Sequence, residues 1–140
     1  MKYRLLNYLA CPYCKDKSFP LELVVIEVNR YDNRSLPHDL KTPLCDLYCA
    51  YANKYIKDID TAKCDECIKY EVKTGVIYCS NCHRWYPVID EIPRILPDNY
   101  RRKEEDIQFL KLHEGKLDEN VRVYGKPYNL IENSEEKPLT

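Results

Sequence analysis

The residues best suited to chemistry in this chain are its eight cysteines, which fall into two groups by spacing. The first group consists of two Cys-x-x-Cys turns, Cys11-Pro12-Tyr13-Cys14 and Cys79-Ser80-Asn81-Cys82, separated by residues 15–78. Four thiolates from two such turns are the ligand set of a closed, tetrahedral zinc site. We therefore predict that Cys11, Cys14, Cys79 and Cys82 bind one structural zinc ion.

Two other chemistries use the same short patterns. Cys-Pro-Tyr-Cys occurs in glutaredoxin-like enzymes, where a low-pKa thiol at a helix start performs disulfide exchange. Here a polar loop follows the turn instead of a helical pattern, and no βαβ pattern surrounds it. Cys79-x-x-Cys82-His83 also spells the c-type haem attachment pattern, but neither an export route nor a second axial ligand is evident. Zinc is favoured over a thiol oxidoreductase and over haem.

The second group of cysteines lies in the middle of the chain, where two helices are predicted. The first helix would begin with Thr42 as N-cap and Pro43, and the second would begin at Asp58 or Asp60 and end at Gly75. An antiparallel hairpin of these helices brings four cysteines together, with Cys45 facing Cys67 and Cys49 facing Cys64. Three interpretations stay open for Cys45, Cys49, Cys64 and Cys67: two disulfides, a second metal site, or reduced thiols that pack as small hydrophobes.

The elements around the first group predict a small antiparallel sheet. Strands are expected over 21–28, 76–79 and 83–89, followed by a turn at Asp90-Glu91 and an extended apolar segment over 92–96. Asp98 or Asn99 can cap a further helix that ends near His113. The predicted fold class is α+β: a zinc ribbon with an inserted α-helical hairpin and a C-terminal helix. The predicted division is a discontinuous ribbon (1–28 plus 75–97), an insertion (29–74), and a C-terminal helix and tail (98–140) whose end from 132 is acidic.

The composition disfavours several classes of function, among them nucleic-acid binding through a basic face and enzyme catalysis. Lys and Arg number 22 against 23 Asp and Glu, for a net charge of −1, so no basic face is predicted. With three Gly in the chain, a glycine-rich phosphate loop has little to be built from, and no catalytic triad or carboxylate pair stands out. The longest apolar run, 23–26, is far too short to span a membrane. We expect a cytoplasmic protein that is not an enzyme.

Trp85 and Tyr86 follow the second cysteine turn and permit two interpretations. Aromatic rings beside a zinc turn can stack on nucleic acid bases, but they more often form the core of a small sheet. A free-standing zinc ribbon that binds RNA or RNA polymerase is therefore one functional hypothesis.

A second hypothesis comes from a family resemblance that several motifs carry together. In order, they are Leu5-Leu6-Asn7-Tyr8-Leu9-Ala10-Cys11-Pro12, Phe19-Pro20-Leu21, Gly75-Val76-Ile77-Tyr78-Cys79, Arg84-Trp85-Tyr86-Pro87-Val88 and Ile92-Pro93-Arg94-Ile95-Leu96. Their order and spacing over 1–28 and 75–97 resemble the multifunctional methyltransferase subunit (TRM) family of small zinc-ribbon activators. The insertion is similar in position to that of longer eukaryotic members.

The resemblance implies a non-catalytic, zinc-binding subunit that forms heterodimers with S-adenosylmethionine-dependent methyltransferases. In this family those enzymes modify tRNA, rRNA or a translation release factor, and the small subunit keeps them soluble and active. It implies no S-adenosylmethionine on this chain, and RNA contact only through the partner. Cys11, Cys14, Cys79 and Cys82 match the family's zinc ligands. Ile92, Pro93, Ile95 and Leu96 match the surface expected to meet the catalytic subunit by strand addition.

Three features depart from the family pattern. Glu91 stands where the family usually has Gly before Ile-Pro, and Arg94 stands where Asn or a small residue is common. Residues 98–140 extend beyond the usual end of the family, so the resemblance assigns them no role.

Overall fold

A four-stranded antiparallel sheet forms the centre of the computed structural model, which describes residues 1–131. In chain order the strands and α-helices are β1 (Glu22–Arg30), β2 (Tyr48–Cys49), β3 (Lys54–Tyr55), α1 (Cys64–Cys67), β4 (Tyr70–Tyr78), β5 (Trp85–Ile89), β6 (Ile92–Pro93), α2 (Lys103–Leu112) and α3 (Glu119–Arg122). The sheet order is β1-β4-β5-β6, and β2 and β3 form a separate hairpin. The predicted α+β zinc-ribbon class is confirmed.

Each face of the sheet carries its own hydrophobic cluster, because successive side chains of a strand point to opposite faces. On one face, Ile77 and Tyr86 pack with the N-terminal segment around Leu6. On the other face, Val76 and Trp85 pack with α2 and the residues after it; that cluster consists of Val76, Tyr78, Trp85, Phe109, Leu110, Leu117 and Val121. The protein is therefore layered, with the sheet between the N-terminal segment and the C-terminal region, residues 98–131.

The predicted helical hairpin over 29–74 is wrong. Where the first helix was expected, β2 and β3 pair as a short hairpin with Tyr48 opposite Tyr55. The two rings meet edge to face with centroids 5.4 Å apart, and Asn53 takes the left-handed conformation (φ 58°) in the connecting loop. The predicted helix face offered mainly cysteine and alanine, which bury little apolar area, and helices in proteins depend on such burial.

The second predicted helix is reduced to one turn, because most of its sequence joins the sheet. α1 covers only Cys64–Cys67, and β4 begins at Tyr70 and pairs with the end of β1, where Arg30 lies opposite Tyr70. Gly75 therefore lies inside a strand and does not end a helix. A Cβ at Gly75 would lie 2.6 Å from the Val24 carbonyl oxygen, so this position requires glycine for close packing of the strands.

Asp90 and Glu91 form the tight turn between β5 and β6 although neither is glycine. Both residues have positive φ angles, 50° and 70°, as a two-residue hairpin turn between the paired Ile89 and Ile92 requires. The Glu91 carboxylate accepts hydrogen bonds from Tyr31 Oη (2.6 Å) and Asn29 Nδ2 (2.7 Å). These bonds offset the cost of left-handed backbone in a residue with a side chain.

The predicted C-terminal helix is confirmed as α2, which ends at Leu112, close to the predicted end. The predicted cap is wrong: Asp98 and Asn99 lie in a separate 3₁₀ turn, Asp98–Tyr100, and Arg102 is the N-cap of α2. The predicted acidic tail, 132–140, lies outside the described residues. Within 1–131, no helix combines the length and the apolar character needed to cross a membrane. The division into ribbon, insertion and C-terminal region stays a prediction.

The segment between β1 and β4, residues 31–69, is called the insertion from here on. Every one of its residues is described, and none of them is buried. It contacts the rest of the protein at a few points. Tyr48 and Ala50 are partly buried against the cluster around Leu6. Asn7 Nδ2 donates to the Tyr48 carbonyl (2.7 Å), and Tyr51 lies between the rings of Tyr3 and Tyr70. The insertion thus rests on the N-terminal layer without a hydrophobic core of its own.

Candidate metal centre and partner surface

The four cysteines of the first set, Cys11, Cys14, Cys79 and Cys82, converge at one end of the sheet. Their sulfur atoms all lie within 4.8 Å of one another, and the Sγ atoms of Cys11 and Cys82 are 3.7 Å apart. Zinc–sulfur bonds of about 2.3 Å in a tetrahedron place sulfurs at about this spacing. Cys11 and Cys79 are fully buried, and Cys14 and Cys82 are half-buried. The cluster could hold a zinc ion.

The two turns that present these cysteines share one backbone feature. The residue after each Cys-x-x-Cys, Lys15 and His83, has a positive φ (51° and 68°). In each turn its N–H donates to the carbonyl of the first cysteine, Lys15 to Cys11 (2.9 Å) and His83 to Cys79 (2.8 Å). This left-handed residue folds each chain back, so that both sulfurs of a turn face the same point.

Hydrogen-bond donors surround the sulfurs. Tyr86 Oη lies 3.2 Å from Cys11 Sγ, and Asn81 Nδ2 donates to Cys14 Sγ at 3.1 Å. Burial raises the pKa of the Cys79 thiol to about 12, while hydrogen bonds from the backbone N–H groups of Cys82 and Asn81 act in the opposite direction. Donors of this kind orient metal ligands and stabilise thiolate charge. The donor set therefore fits a structural zinc ion.

Arg84, two residues after Cys82, joins the first cysteine turn to the C-terminal region. Its guanidinium lies 3.7 Å from the Tyr13 ring centroid and pairs with Asp98 at 2.8 Å. The backbone N–H of Asp98 in turn donates to Tyr13 Oη at 2.8 Å. The hydrogen bond from Arg84 lowers the pKa of Asp98.

The second set of cysteines, Cys45, Cys49, Cys64 and Cys67, lies together in the insertion but is less tightly gathered. All four are half-buried and line one cavity of about 520 Å³. Among the described residues, only the first set has its sulfurs within 4.8 Å of one another. Burial, followed by the neighbouring thiols of Cys49, Cys45 and Cys64, raises the pKa of Cys67 to about 12. The role of these thiols stays a prediction.

The apolar strip, Ile92, Pro93, Ile95 and Leu96, lies at and beyond the edge strand β6. Ile92 is 59% exposed and Leu96 is 41% exposed, whereas Ile95 packs against the N-terminal cluster. Pro93 is half-buried. The strip thus offers two exposed apolar side chains at β6, which is an edge strand of the sheet.

Trp85 and Tyr86 are both fully buried. Their rings point to opposite faces of the sheet: Trp85 stacks on Phe109 (centroids 5.8 Å apart), and Tyr86 faces the cysteine cluster. The core-packing interpretation is confirmed for both, and neither ring is available to stack on a base.

Several residues that support the site were missed by sequence reasoning. Asn81 and Tyr86 contact cysteine sulfur, and Asn7 holds the insertion through both its amide atoms, since Asn7 Oδ1 also accepts from the Tyr48 N–H (3.0 Å). Asn81 lies inside the turn Cys79–Cys82, so its position alone could have suggested a second donor. Asn7 and Tyr48 are far apart in sequence, and no local signal links them.

Comparison of the chain with curated proteins found no match. The model of one family, described as Trm112p-like protein, matches residues 2–91, which is more than half of the chain and includes both cysteine turns and the insertion. This match confirms the resemblance derived from the sequence motifs, and the chain belongs to the Trm112p-like family.

Proposed function

We propose that this protein is a non-catalytic, zinc-binding subunit that activates and stabilises S-adenosylmethionine-dependent methyltransferases. The observation that carries the proposal is family membership over 2–91. The cysteine cluster that could hold zinc supports it, because the metal would fix the ribbon that presents the partner surface. The methyltransferase substrates are tRNA, rRNA or a translation release factor, and the heterodimer acts in the cytoplasm.

The proposed partner surface is the apolar strip together with the edge of β6. A short edge strand with free backbone groups can accept a strand from another sheet, and apolar side chains beside it add specificity. A depression of about 500 Å³ reaches Glu91, the residue before Ile92, and is also lined by Leu5 and Tyr8. Tyr8 is 74% exposed, so an aromatic side chain is accessible there, beside the charged residues Lys2, Arg4, Glu71 and Glu91.

The first test is affinity purification of the tagged full chain from its native host, with mass spectrometry of the bound proteins and zinc analysis of the eluate. Recovery of one or more methyltransferases with bound zinc supports the proposal. Recovery of RNA polymerase, or salt-dependent binding of RNA by the isolated chain, would replace it with the free-standing ribbon hypothesis, because phosphate contacts release counterions. An eluate without zinc would remove the metal from the proposal and favour thiol chemistry.

The second test places the interface with matched variants of a recovered complex. Ile92→Asp puts a charge in the centre of the proposed contact, and we expect it to weaken binding by about 10-fold or more. Leu112→Asp is the control, since Leu112 is an exposed apolar residue (76%) at the end of α2 and is not part of the strip. Equal losses of affinity for the two variants, or no loss for Ile92→Asp, would argue against this surface.

A further inference from the structure

We propose that Cys45, Cys49, Cys64 and Cys67 bind a second zinc ion, which fastens the insertion. The inference does not depend on the methyltransferase proposal, because it concerns the stability of this chain alone. It starts from a physical problem. The insertion, 31–69, has no buried residue, and its first 17 residues, up to Leu47, contain no helix or strand. Segments that cannot bury apolar surface need a disulfide or a metal to become ordered.

The placement of the four cysteines matches that need. Cys64 and Cys67 lie on one turn, α1, where the N–H of Cys67 donates to the Lys63 carbonyl (2.9 Å). Residues three apart on a helical turn share a face, so both thiols point to the same side. Cys49 ends β2, and Cys45 lies in the segment that leads into it. All four line the same cavity of about 520 Å³, which joins the two halves of the insertion.

One hydrogen bond in this set resembles those of the first cysteine set. The backbone N–H of Ala52 donates to Cys49 Sγ at 3.3 Å, and Asn81 Nδ2 donates to Cys14 Sγ at 3.1 Å in the first set. An N–H aimed at sulfur stabilises the thiolate form, which is the form that binds zinc.

The charges around the cavity distinguish a metal site from the alternatives. Four cationic side chains, Lys2, Arg4, Arg34 and Lys63, line it, and among the described lining residues there is no Asp or Glu. Arg34 also pairs with Glu71, which does not line the cavity. A zinc ion with four thiolates carries two negative charges, whereas disulfides and thiols are neutral. The cationic lining therefore complements a zinc–thiolate centre and has no counterpart in the other two interpretations.

Binding requires the sulfurs to move closer together. Zinc–sulfur bonds of about 2.3 Å bring sulfurs to tetrahedral spacing, which the first set has and the second set does not. Each thiol loses its proton to solvent as its sulfur bonds the zinc ion. The side chains of the insertion are not locked in a packed core, so this closure meets little resistance. Zinc supplies the ordering that packing does not.

The test is zinc stoichiometry of the full chain, purified under reducing conditions and measured by native mass spectrometry and elemental analysis. We expect two zinc ions per chain. The double variant Cys64→Ser/Cys67→Ser should bind one, with the ribbon still folded. Leu47→Ser is the matched control, since Leu47 is 61% exposed in the same insertion, and it should retain two.

The alternatives give different results. One zinc ion in the wild type, with four thiols open to alkylation, would overturn the proposal in favour of inert thiols. A denatured, non-reduced mass lower by two hydrogens per bridge in protein purified without reductant would overturn it in favour of disulfides. If the double variant loses both zinc ions, circular dichroism shows whether it is still folded. A folded variant without zinc contradicts the proposal. If the variant is unfolded, Cys45→Ser is measured in its place, and it must retain one zinc ion.

Discussion

The insertion and the C-terminal region are both additions to the ribbon, but they are held in different ways. Residues 98–131 supply a hydrophobic cluster that covers one face of the sheet, with Leu110 fully buried against Val76 and Trp85. Residues 31–69 supply no buried side chain, and instead carry half of the cysteines of the chain. The C-terminal region is therefore held by packing, whereas a crosslink through the four cysteines of the insertion is what we propose in place of packing.

The C-terminal region covers the face that bears Trp85 and leaves Ile92 and Leu96 of the apolar strip exposed. We therefore expect it to stabilise the ribbon while the proposed partner surface remains accessible. We expect substitutions of buried residues in the C-terminal region to lower the free energy of unfolding, and similar substitutions in the insertion to leave it nearly unchanged.

The largest effect is expected at Arg101, which fixes the C-terminal region to the sheet. Arg101 is buried; it donates to the Trp85 carbonyl (2.6 Å), lies over the Trp85 ring and pairs with Asp106 at 2.8 Å. Arg101→Ala leaves the buried Asp106 carboxylate without its cation, which costs about 3–5 kcal/mol of unfolding free energy. Urea denaturation, monitored by circular dichroism, measures this change in the free energy of unfolding.

Arg102→Ala is the control for Arg101→Ala. The Arg102 side chain is 77% exposed and forms a surface pair with Glu105 at 3.7 Å. Its loss should change stability by less than about 1 kcal/mol. Similar costs for the two variants would mean that the buried pair does not hold the C-terminal region.

The next effect is expected from Leu110→Ala, which tests packing directly. Leu110 is fully buried between α2 and the sheet. Truncation of such a leucine costs about 2–5 kcal/mol, through lost burial and the cavity left behind. Leu47→Ala in the insertion, where Leu47 is 61% exposed, should stay within about 0.5 kcal/mol of the wild type. A large loss for Leu47→Ala would show that the insertion contributes to a core after all.

Gly125→Ala should have an intermediate effect. A Cβ at Gly125 would lie 2.4 Å from the Val121 carbonyl oxygen and 2.7 Å from Trp85 Cδ1. One of these groups has to shift, at a cost of roughly 1–3 kcal/mol. Gly115 belongs to the same region, but within 1–131 no heavy atom beyond its own chain neighbours lies within 4 Å of the corresponding position. Gly115→Ala should therefore be neutral or stabilise slightly. Thermal unfolding of the two variants checks this, and equal melting temperatures would contradict the close packing on Trp85.

The smallest effect is expected from pH. Hydrogen bonds from Arg84 lower the pKa of Asp98, and those from Tyr31 and Asn29 lower the pKa of Glu91. A carboxyl group with a lowered folded-state pKa adds stability above its unfolded pKa, about 3.9 for Asp and 4.3 for Glu. That stability is lost as pH falls through the folded-state value.

Asp98→Asn tests the contact of the C-terminal region with Arg84, and Glu91→Gln tests the contact of the β5–β6 turn with Tyr31 of the insertion. At pH 7 each variant should be slightly less stable than the wild type, and the difference should vanish in acid, as measured by urea denaturation at several pH values. Hydrogen exchange should locate the loss near Arg84 for Asp98→Asn and near Tyr31 for Glu91→Gln. A difference that persists or grows at low pH would contradict the lowered pKa values.

Sequence reasoning was most successful where the signal is local. The two Cys-x-x-Cys turns predicted one cluster, and a helix was predicted where α2 lies, although α2 begins after Arg102 and not at a cap on Asp98 or Asn99. It failed in the insertion, where the pattern of cysteine and alanine at helical spacing was interpreted as a helix face. That interpretation required a hydrophobic partner for the face, and the described insertion has no buried residue to provide one.

The sequence by itself determined the ribbon, because cysteine spacing and alternating apolar residues act over a few positions of the chain. Only the tertiary structure decided that 70–75 extends β4, since this strand forms only where β1 lies beside it. The same holds for the Asn7 contact with Tyr48 and the burial of Trp85 under α2. Contacts between residues distant in sequence carry no local pattern, so their outcome depends on how the whole chain packs.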